Sequence, residues 1–266
     1  MTNPDGLLRE NAHDRDISEI RATITAVDRP SFSLLRVTAH LPGAAQNPVW
    51  GIPNVAVRFY LDDATRVYTV RSFDRACESM VVDVVQHGHP SPMMSWSETV
   101  APGDELTLTG PRPHFPLPPG GKVALFLDDT AIPALAAIMD QWPAGVGGVG
   151  WVVTEDVAAF EELPHIEGLE LHLLAPGDQP LADKARELPN PSTHVVWAAG
   201  ERDEMKSIRG YFRRDIGLEK ESVAVFGYWK KGTTNTRIDQ VRRDHYMRLL
   251  AEGGDLEGFD DLSLEI

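Results

Sequence analysis

The chain has 266 residues, of which 42% are hydrophobic, enough to build two domains of ordinary size with substantial cores. Its 25 Lys and Arg residues against 40 Asp and Glu residues give a formal net charge of −15. This charge argues against generic binding to nucleic acid or to an anionic membrane, because both require neutralisation of phosphates.

The single cysteine, Cys77, excludes an internal disulfide, a CxxC redox pair and a cysteine-ligated iron–sulfur cluster. The N-terminal sequence "MTNPDGLLRENAHDRD" has no apolar core of a signal peptide, and no window has the apolar length of a membrane span. We therefore expect a cytoplasmic protein without a membrane span, in which any redox chemistry requires a bound organic cofactor.

Residues 18–109 predict a succession of short strands such as "FSLLRVTAH", "VAVRFYL", "TRVYTVRSF" and "DELTLTG". Their β-branched content, alternation and turn breaks, among them "LDDAT" with Asp62 and Asp63, favour an antiparallel barrel or sandwich. The proline-rich stretch "GPRPHFPLPPGG" (110–121) can continue neither a sheet nor a helix. We place the domain boundary there, which gives domains 1–117 and 118–266.

The second half alternates near-continuous apolar strands, such as "KVALFLDD" and "THVVWAAG", with amphipathic helical segments. It ends in a long helical segment, "TRIDQVRRDHYMRLLAE", and an acidic tail after Glu252. This alternation predicts an α/β domain with a parallel sheet. Ligands of such sheets lie outside the carboxyl ends of the strands. The segments expected there are 128–130, 154–156, 175–178, 199–203 and 227–232.

The strand "TRVYTVRSFD" (65–74) holds two arginines and a tyrosine. With a period of two, Arg66 and Tyr68 share one face with Val70, while Thr69 and Arg71 face the other way, unless the strand bends. A guanidinium and a phenol on one face suit an anionic, planar, aromatic ligand. The alternative is that the arginines are solvated and Tyr68 belongs to the core.

Five segments carry a recognisable pattern in chain order: "RVYTVR" (66–71), "HGHPSPMMSWSETVAPGD" (87–104), "DDTAIPAL" (128–135), "WAAGERDEMKSIRGYFRR" (197–214) and "GYWKKG" (227–232). Together they resemble the siderophore-interacting proteins, or ferric-siderophore reductases, a branch of the ferredoxin–NADP reductase superfamily. The chain departs from the family pattern at four positions. Met93 and Met94 replace Ala-Ser, which costs a hydroxyl beside the flavin pyrophosphate. Asp129 replaces Glu, and Lys230 replaces Arg, which keeps the charge but loses the fork.

The resemblance implies an N-terminal antiparallel β-barrel that binds FAD, followed by an α/β parallel-sheet domain that binds NAD(P)H. The residues that it assigns to the cofactors are Arg66, Tyr68, Thr69, Arg71, His87, Ser95, Trp96, Asp129, Thr130, Gly200, Arg202, Tyr228 and Trp229. Lys230 and Lys231 would form a local positive spot that guides an anionic ferric chelate.

Two further patterns leave alternatives open. After Gly200, a helix start could offer N–H groups to a phosphate, and Arg202, Lys206 and Arg209 could meet the extra phosphate of NADPH. The same side chains could instead form a solvated face paired with neighbouring acids. His87 and His89 lie two residues apart without an evident third ligand, so no metal site is predicted.

The activity implied is reduction of Fe(III) in a ferric siderophore, with electrons from NADPH or NADH, or from a ferredoxin. A nicotinamide delivers a hydride and iron accepts one electron, and a flavin can do both, so no catalytic side chain is predicted. Two alternatives remain open at this point. One is a flavin-linked reductase with another acceptor, such as a quinone or a partner protein. The other is a flavin- or siderophore-binding protein without turnover.

Overall fold

The computed structural model describes residues 17–61, 64–114, 117, 121–252 and 261–266. The chain separates into two compact units. The first contains the N-terminal strands together with Pro133–Gln141, and the second contains Leu117–Ile132 and the chain from Trp142. The turn expected at Asp62 and Asp63 and most of the tail after Glu252 lie outside the described residues. Residues 115–116 and 118–120 also lie outside the described residues, so the domain boundary between residues 117 and 118 stays a prediction.

The first unit is a closed barrel of six strands in the order β1-β2-β5-β4-β3-β6, with antiparallel neighbours throughout. The predicted antiparallel barrel is therefore confirmed. Closure leaves no unpaired sheet edge, which suits a run of short alternating strands. The strands are β1 (Ser18–Ser31), β2 (Leu34–His40), β3 (Ala56–Tyr60), β4 (Thr65–Asp74), β5 (Ser79–Val85) and β6 (Glu105–Arg112).

The inward positions of these strands form one apolar core that includes Leu35, Phe59 and Val82, all fully buried. A single helix, α1 (Pro92–Thr99), lies between β5 and β6. The Ser91 hydroxyl caps it by accepting from the Met94 N–H at 3.2 Å, and Pro92 occupies its first turn. Met93 points into the barrel core and is 2% exposed.

The second unit is a five-stranded parallel sheet in the order β11-β10-β7-β8-β9. The predicted parallel sheet is confirmed. Its strands are β7 (Lys122–Asp128), β8 (Gly148–Val153), β9 (Leu169–Leu174), β10 (His194–Glu201) and β11 (Val223–Trp229). Strand order reverses between β7 and β10, so the crevice at the topological switch point lies between their carboxyl ends.

Helices follow the strands as the periodicity predicts. They are α2 (Ile132–Met139), α3 (Val157–Glu161), α4 (Pro180–Glu187), α5 (Arg202–Gly210) and α6 (Asn235–Ala251). A core of buried residues, including Phe126, Leu181 and Phe212, joins the sheet to α4, α5 and the π-helical turn Tyr211–Asp215. Within the described residues, every helix is too short or too polar to cross a bilayer.

Candidate functional site

Strand β4 presents three half-buried polar side chains, Arg66, Tyr68 and Thr69, within four residues. The Tyr68 ring packs against Phe59 of the core, with ring centroids 5.2 Å apart, and keeps part of its surface exposed. Burial raises the pKa of the Tyr68 phenol above its usual value, against the opposing charge of Arg66, so the phenol is neutral and can donate a hydrogen bond. Tyr68 therefore contacts the core and is only half-buried, and its contact with a ligand stays a prediction.

Arg71 occupies a β-bulge, because the pairing of β4 with β5 shifts register between Val70 and Ser72. The regular pairing of β4 with β5 thus ends at Val70, one residue after Thr69, and a ligand contact at Thr69 stays a prediction. Arg71 itself donates to the Asp83 carboxylate at 2.9 Å. Asp83 also receives both forks of Arg36, at 2.7 and 2.9 Å, and is 1% exposed. Arg71 is thus paired with Asp83 of β5, and a direct contact between Arg71 and a cofactor stays a prediction.

The residues predicted around α1 lie at one end of the barrel. Trp96 is half-buried and meets the Phe59 ring edge-on at 6.1 Å, so Trp96 and Tyr68 each contact the same core ring. Ser95 and His87 are exposed. The His87 N–H approaches the Met94 sulfur at 3.4 Å. Partial desolvation of the His87 imidazole lowers its pKa, and the charge of the neighbouring His89 lowers it further. No metal-binding group of three or more side chains occurs among the described residues.

At the carboxyl edge of the sheet, the sequence placed residue 128 in a segment expected near ligands but assigned it no role. Asp128 ends β7, is 8% exposed, and accepts four hydrogen bonds. Its Oδ1 receives the Thr130 N–H at 3.0 Å and the Thr130 hydroxyl at 2.5 Å. Its Oδ2 receives the Glu201 N–H at 2.9 Å and the Trp229 indole N–H at 2.7 Å. The resemblance had directed attention to the next residue, Asp129, which is half-buried.

Burial raises the pKa of Asp128 to about 7, although the hydrogen bond from Thr130 opposes this rise. The charge of Asp129 adds to the increase and the Trp229 indole opposes it. Burial also raises the pKa of Asp129. The switch point between β7 and β10 therefore carries carboxylates where many dinucleotide-binding sheets carry a glycine-rich loop.

Gly200, a predicted cofactor residue, is buried against this carboxylate. A Cβ at Gly200 would lie 2.5 Å from Asp128 Oδ2, which no side chain tolerates. The end of β10 can approach the Asp128 side chain this closely because residue 200 is glycine. Gly200 is thus explained by the carboxylate beside it, and its predicted contact with a cofactor stays a prediction.

The start of α5 is occupied by the chain's own carboxylates. The Glu201 side chain accepts from the N–H groups of Asp203 and Glu204, at 2.7 and 3.0 Å. Arg202 is 3% exposed and donates to the Asp261 carboxylate at 2.7 Å and to its backbone oxygen at 2.5 Å. A phosphate at this helix start would have to displace Glu201, and one at Arg202 would have to displace Asp261.

Asp261 is held from a second side as well. Arg242 of α6 donates to both of its carboxylate oxygens, at 2.6 and 2.8 Å, and to the Gly227 carbonyl at 3.1 Å. Although burial opposes it, these arginines lower the pKa of Asp261. The described C-terminal residues, the start of α5 and the turn after β11 line a cavity of about 350 Å³ that includes Arg202, Lys206 and Lys230.

The segment "GYWKKG" closes β11. Tyr228 is half-buried, and Trp229 is fixed by its bond to Asp128. The Lys230 ammonium lies 2.8 Å from both carboxylate oxygens of Asp203. Lys231 donates its backbone N–H to Glu201 at 3.2 Å, and its side chain is exposed. Lys231 therefore presents the more available positive charge of the pair.

A six-stranded antiparallel barrel followed by a five-stranded parallel sheet is the fold of ferredoxin-reductase-type flavoproteins. The FAD-free ferredoxin reductase of carbazole 1,9a-dioxygenase shares this fold, with a TM-score of 0.63 at 18% identity over 79% of this chain and 67% of that one. Residues 60–115 match the siderophore-interacting FAD-binding domain, and residues 121–232 match the siderophore-interacting protein model.

The chain belongs to the siderophore-interacting protein family. It is 32% identical to the ferric acinetobactin reductase of Acinetobacter baumannii, over 97% of this chain and 94% of the relative. It is 25% identical to the ferric vibriobactin reductase ViuB of Vibrio cholerae, over 84% and 88%. The solved structure of a siderophore-interacting protein from Acinetobacter baumannii superposes with a TM-score of 0.84 at 30% identity, covering 89% of this chain and 99% of that one.

Proposed function

We propose that this chain is an FAD-dependent reductase that transfers electrons from NADPH or NADH to Fe(III) in a ferric siderophore and releases Fe(II) in the cytoplasm. The observation that carries the proposal is the match to ferric acinetobactin reductase along nearly the whole chain. The FAD-binding match over residues 60–115 supports it independently, because that range includes β4 with Arg66, Tyr68 and Thr69.

The described residues fit a flavin on β4. A guanidinium, a phenol ring and a hydroxyl stand half-buried within four residues, and the bulge at Arg71 bends the strand beside the hydroxyl. We assign binding of the flavin pyrophosphate to Arg66 and stacking against the flat flavin ring to Tyr68. We assign a hydrogen bond with the edge of the flavin ring to Thr69. When bound, FAD accepts a hydride from the nicotinamide and passes electrons singly to iron, so the chain supplies binding and orientation.

The other predicted cofactor residues complete this assignment as a proposal. His87, Ser95 and Trp96 contribute from the α1 region, and Arg71 supports the bend of β4 through Asp83. Six residues contribute from the carboxyl edge of the parallel sheet. They are Asp129, Thr130, Gly200, Arg202, Tyr228 and Trp229.

The proposed substrate is an anionic ferric siderophore, guided by Lys230 and Lys231. On a chain with a net charge of −15, a local pair of lysines is the feature that attracts an anion to one place. Lys231 is exposed, whereas Lys230 is neutralised by Asp203. We therefore assign the steering charge to Lys231.

The test is steady-state kinetics of the purified full chain reconstituted with FAD. Oxidation of NADH and of NADPH is followed with and without ferric siderophores, with a quinone in parallel, and Fe(II) is trapped by a chelating dye. The expected result is an FAD absorption spectrum and donor oxidation that depends on the ferric siderophore and yields Fe(II). Turnover with quinones alone would contradict the proposal that a ferric siderophore is the electron acceptor. The proposed donor, NADPH or NADH, would be wrong if the flavin-loaded protein oxidises neither nicotinamide. Turnover only with reduced ferredoxin would then identify a ferredoxin as the donor.

A further inference from the structure

We propose that Asp128 is a positioning residue for this reaction, which acts by fixing the indole of Trp229 and the end of β10 at the switch point of the sheet. The inference rests on the proposed function, because that function assigns Trp229 to the cofactor site. Asp128 is not assigned to any cofactor or substrate in that proposal, so its role is separate from those contacts.

The geometry is specific to a carboxylate. Four donors converge on two oxygens, and they come from the turn after β7, from β10 and from β11. Two of these donors are backbone N–H groups and one is an indole N–H, which cannot reverse their direction. Only the Thr130 hydroxyl can rotate to accept. A side chain without an acceptor at the Oδ2 position would leave the Glu201 N–H and the Trp229 indole buried without a partner.

The bond to Trp229 is the part with a functional consequence. An indole has a single polar atom, so one hydrogen bond fixes the direction of its ring. The same oxygen holds the Glu201 N–H, and Glu201 in turn caps α5. One carboxylate thereby aligns the ends of β7, β10 and β11. The carboxylate can occupy this place only because residue 200 is glycine, since an added Cβ there would lie 2.5 Å from Oδ2.

The experiment combines two substitutions of Asp128 with Trp229→Phe in the full chain. Asp128→Ala removes both oxygens. Asp128→Asn keeps one oxygen, which can face the indole and the Glu201 N–H, while its amide donates to the Thr130 hydroxyl and only the Thr130 N–H loses its acceptor. We expect Asp128→Ala to lower kcat about tenfold with a smaller change in KM, and Asp128→Asn to stay within about threefold of the parent, a pattern of lost positioning. In the Trp229→Phe background, Asp128→Ala should add less than about twofold, because partners in one contact are not additive.

A second readout needs no flavin, donor or iron. Trp229 is one of six tryptophans, and its emission is obtained as the difference between chains with and without Trp229→Phe. Asp128→Ala should shift this emission to longer wavelength, and Asp128→Asn should restore it. Thr154→Val is the matched control, since Thr154 is a buried polar residue at the end of the neighbouring strand, β8, that bonds the Asp156 N–H instead. It should leave the Trp229 emission unchanged.

An unchanged Trp229 emission in Asp128→Ala, or fully multiplicative kinetic effects in the double variant, would overturn the inference. If Asp128→Ala does not fold, the hydrogen bond between Asp128 and Trp229 is tested by removing the indole donor instead. The pKa of the Asp128 carboxyl is then measured in Trp229→Phe by ¹³C NMR titration. Loss of the indole donor should raise that pKa, and an unmoved pKa would overturn the inference too. A chain with the emission coupling but without ferric-siderophore turnover would refute the proposed function and leave the Asp128 contact intact.

Discussion

Lys230 places its ammonium 2.8 Å from both carboxylate oxygens of Asp203, while the side chain of the next residue, Lys231, remains exposed. We predict that Lys231→Glu lowers kcat/KM for an anionic ferric siderophore about tenfold at low salt, and that the loss shrinks as ionic strength rises. Stopped-flow or steady-state rates at about 20 mM and about 300 mM salt, where the Debye length is about 20 Å and about 6 Å, measure the effect.

The matched control is Lys220→Glu. Lys220 lies in the 3-10 turn before β11, at the opposite end of the strand from Lys231, and it is also exposed. Both variants change the net charge of the chain equally. An equal loss of rate in the two variants would show a general field effect and would contradict local steering by Lys231.

Asp83 is a buried carboxylate of the barrel that forms ion pairs with both Arg36 and Arg71. Asp83→Ala removes the carboxylate from two guanidinium groups, so we predict a loss of about 3–5 kcal/mol in the free energy of unfolding. Urea unfolding measures this loss. Asp140→Ala, at an exposed carboxylate after α2, is the control and should change stability by less than about 0.5 kcal/mol. Equal stabilities of the two variants would contradict this role of Asp83.

The barrel and the parallel sheet could be predicted from the sequence because both leave a local record. Alternation in "LLRVTAH" and the apolar run in "KVALFLD" show whether one face or both faces of a strand are buried. Each pattern can be recognised within one short segment of the sequence. Strand β4 could be proposed as a flavin site for the same reason, since Arg66, Tyr68 and Thr69 lie within four residues of the chain. Its bulge at Arg71 could not, because a bulge is a mismatch between two strands.

The contacts that the sequence did not predict join residues far apart in the chain. Asp128 meets Glu201 across 73 residues and Trp229 across 101, and Arg202 meets Asp261 across 59. Such pairings depend on strand order, and no local pattern encodes it. This is why the sequence offered Arg202 as a possible phosphate ligand but could not identify Asp261 as its partner. For the same reason Asp128, the most connected carboxylate of the sheet edge, was passed over in favour of Asp129.

His114 should make stability depend on pH below neutrality. Burial lowers the pKa of its imidazole to about 4, from about 6.5 for a free histidine. Between these values the unfolded chain binds a proton that the folded chain does not, so the stabilising contribution of neutral His114 is lost as pH falls from about 6.5 to 4. We predict that the stability difference between the parent and His114→Gln shrinks over this window in urea unfolding. A difference independent of pH would contradict it.

Asp128 should act in the opposite direction over an overlapping window. Its folded pKa of about 7 lies above the ordinary 3.8, so between these values the folded chain holds the proton that the unfolded chain has lost. Stability from this group is therefore full below about pH 4 and falls as pH rises to about 7, with a slope of up to about 1.4 kcal/mol per pH unit. Relative to Asp128→Asn, the parent should lose stability from pH 5 to 7. A constant gap would show that the carboxyl stays ionised.

Met94 stands where the family has a serine beside the flavin pyrophosphate, and its sulfur lies 3.4 Å from the His87 backbone nitrogen. We predict that Met94→Ser strengthens FAD binding about three- to tenfold, because it adds a hydroxyl and leaves the His87 N–H available for a phosphate oxygen. Titration of the flavin-free chain with FAD, followed by flavin fluorescence, gives the Kd.

Met93→Ser separates this effect from a general change at α1. Met93 is 2% exposed in the barrel core, so its substitution should cost about 2–4 kcal/mol of stability and bring no gain in FAD affinity. Met94 lies at the core's edge, half-buried, so Met94→Ser should cost less. An unchanged or weaker FAD affinity in Met94→Ser would mean that the backbone N–H groups at the start of α1 hold the pyrophosphate without help from residue 94. The methionine would then cost the chain no FAD affinity.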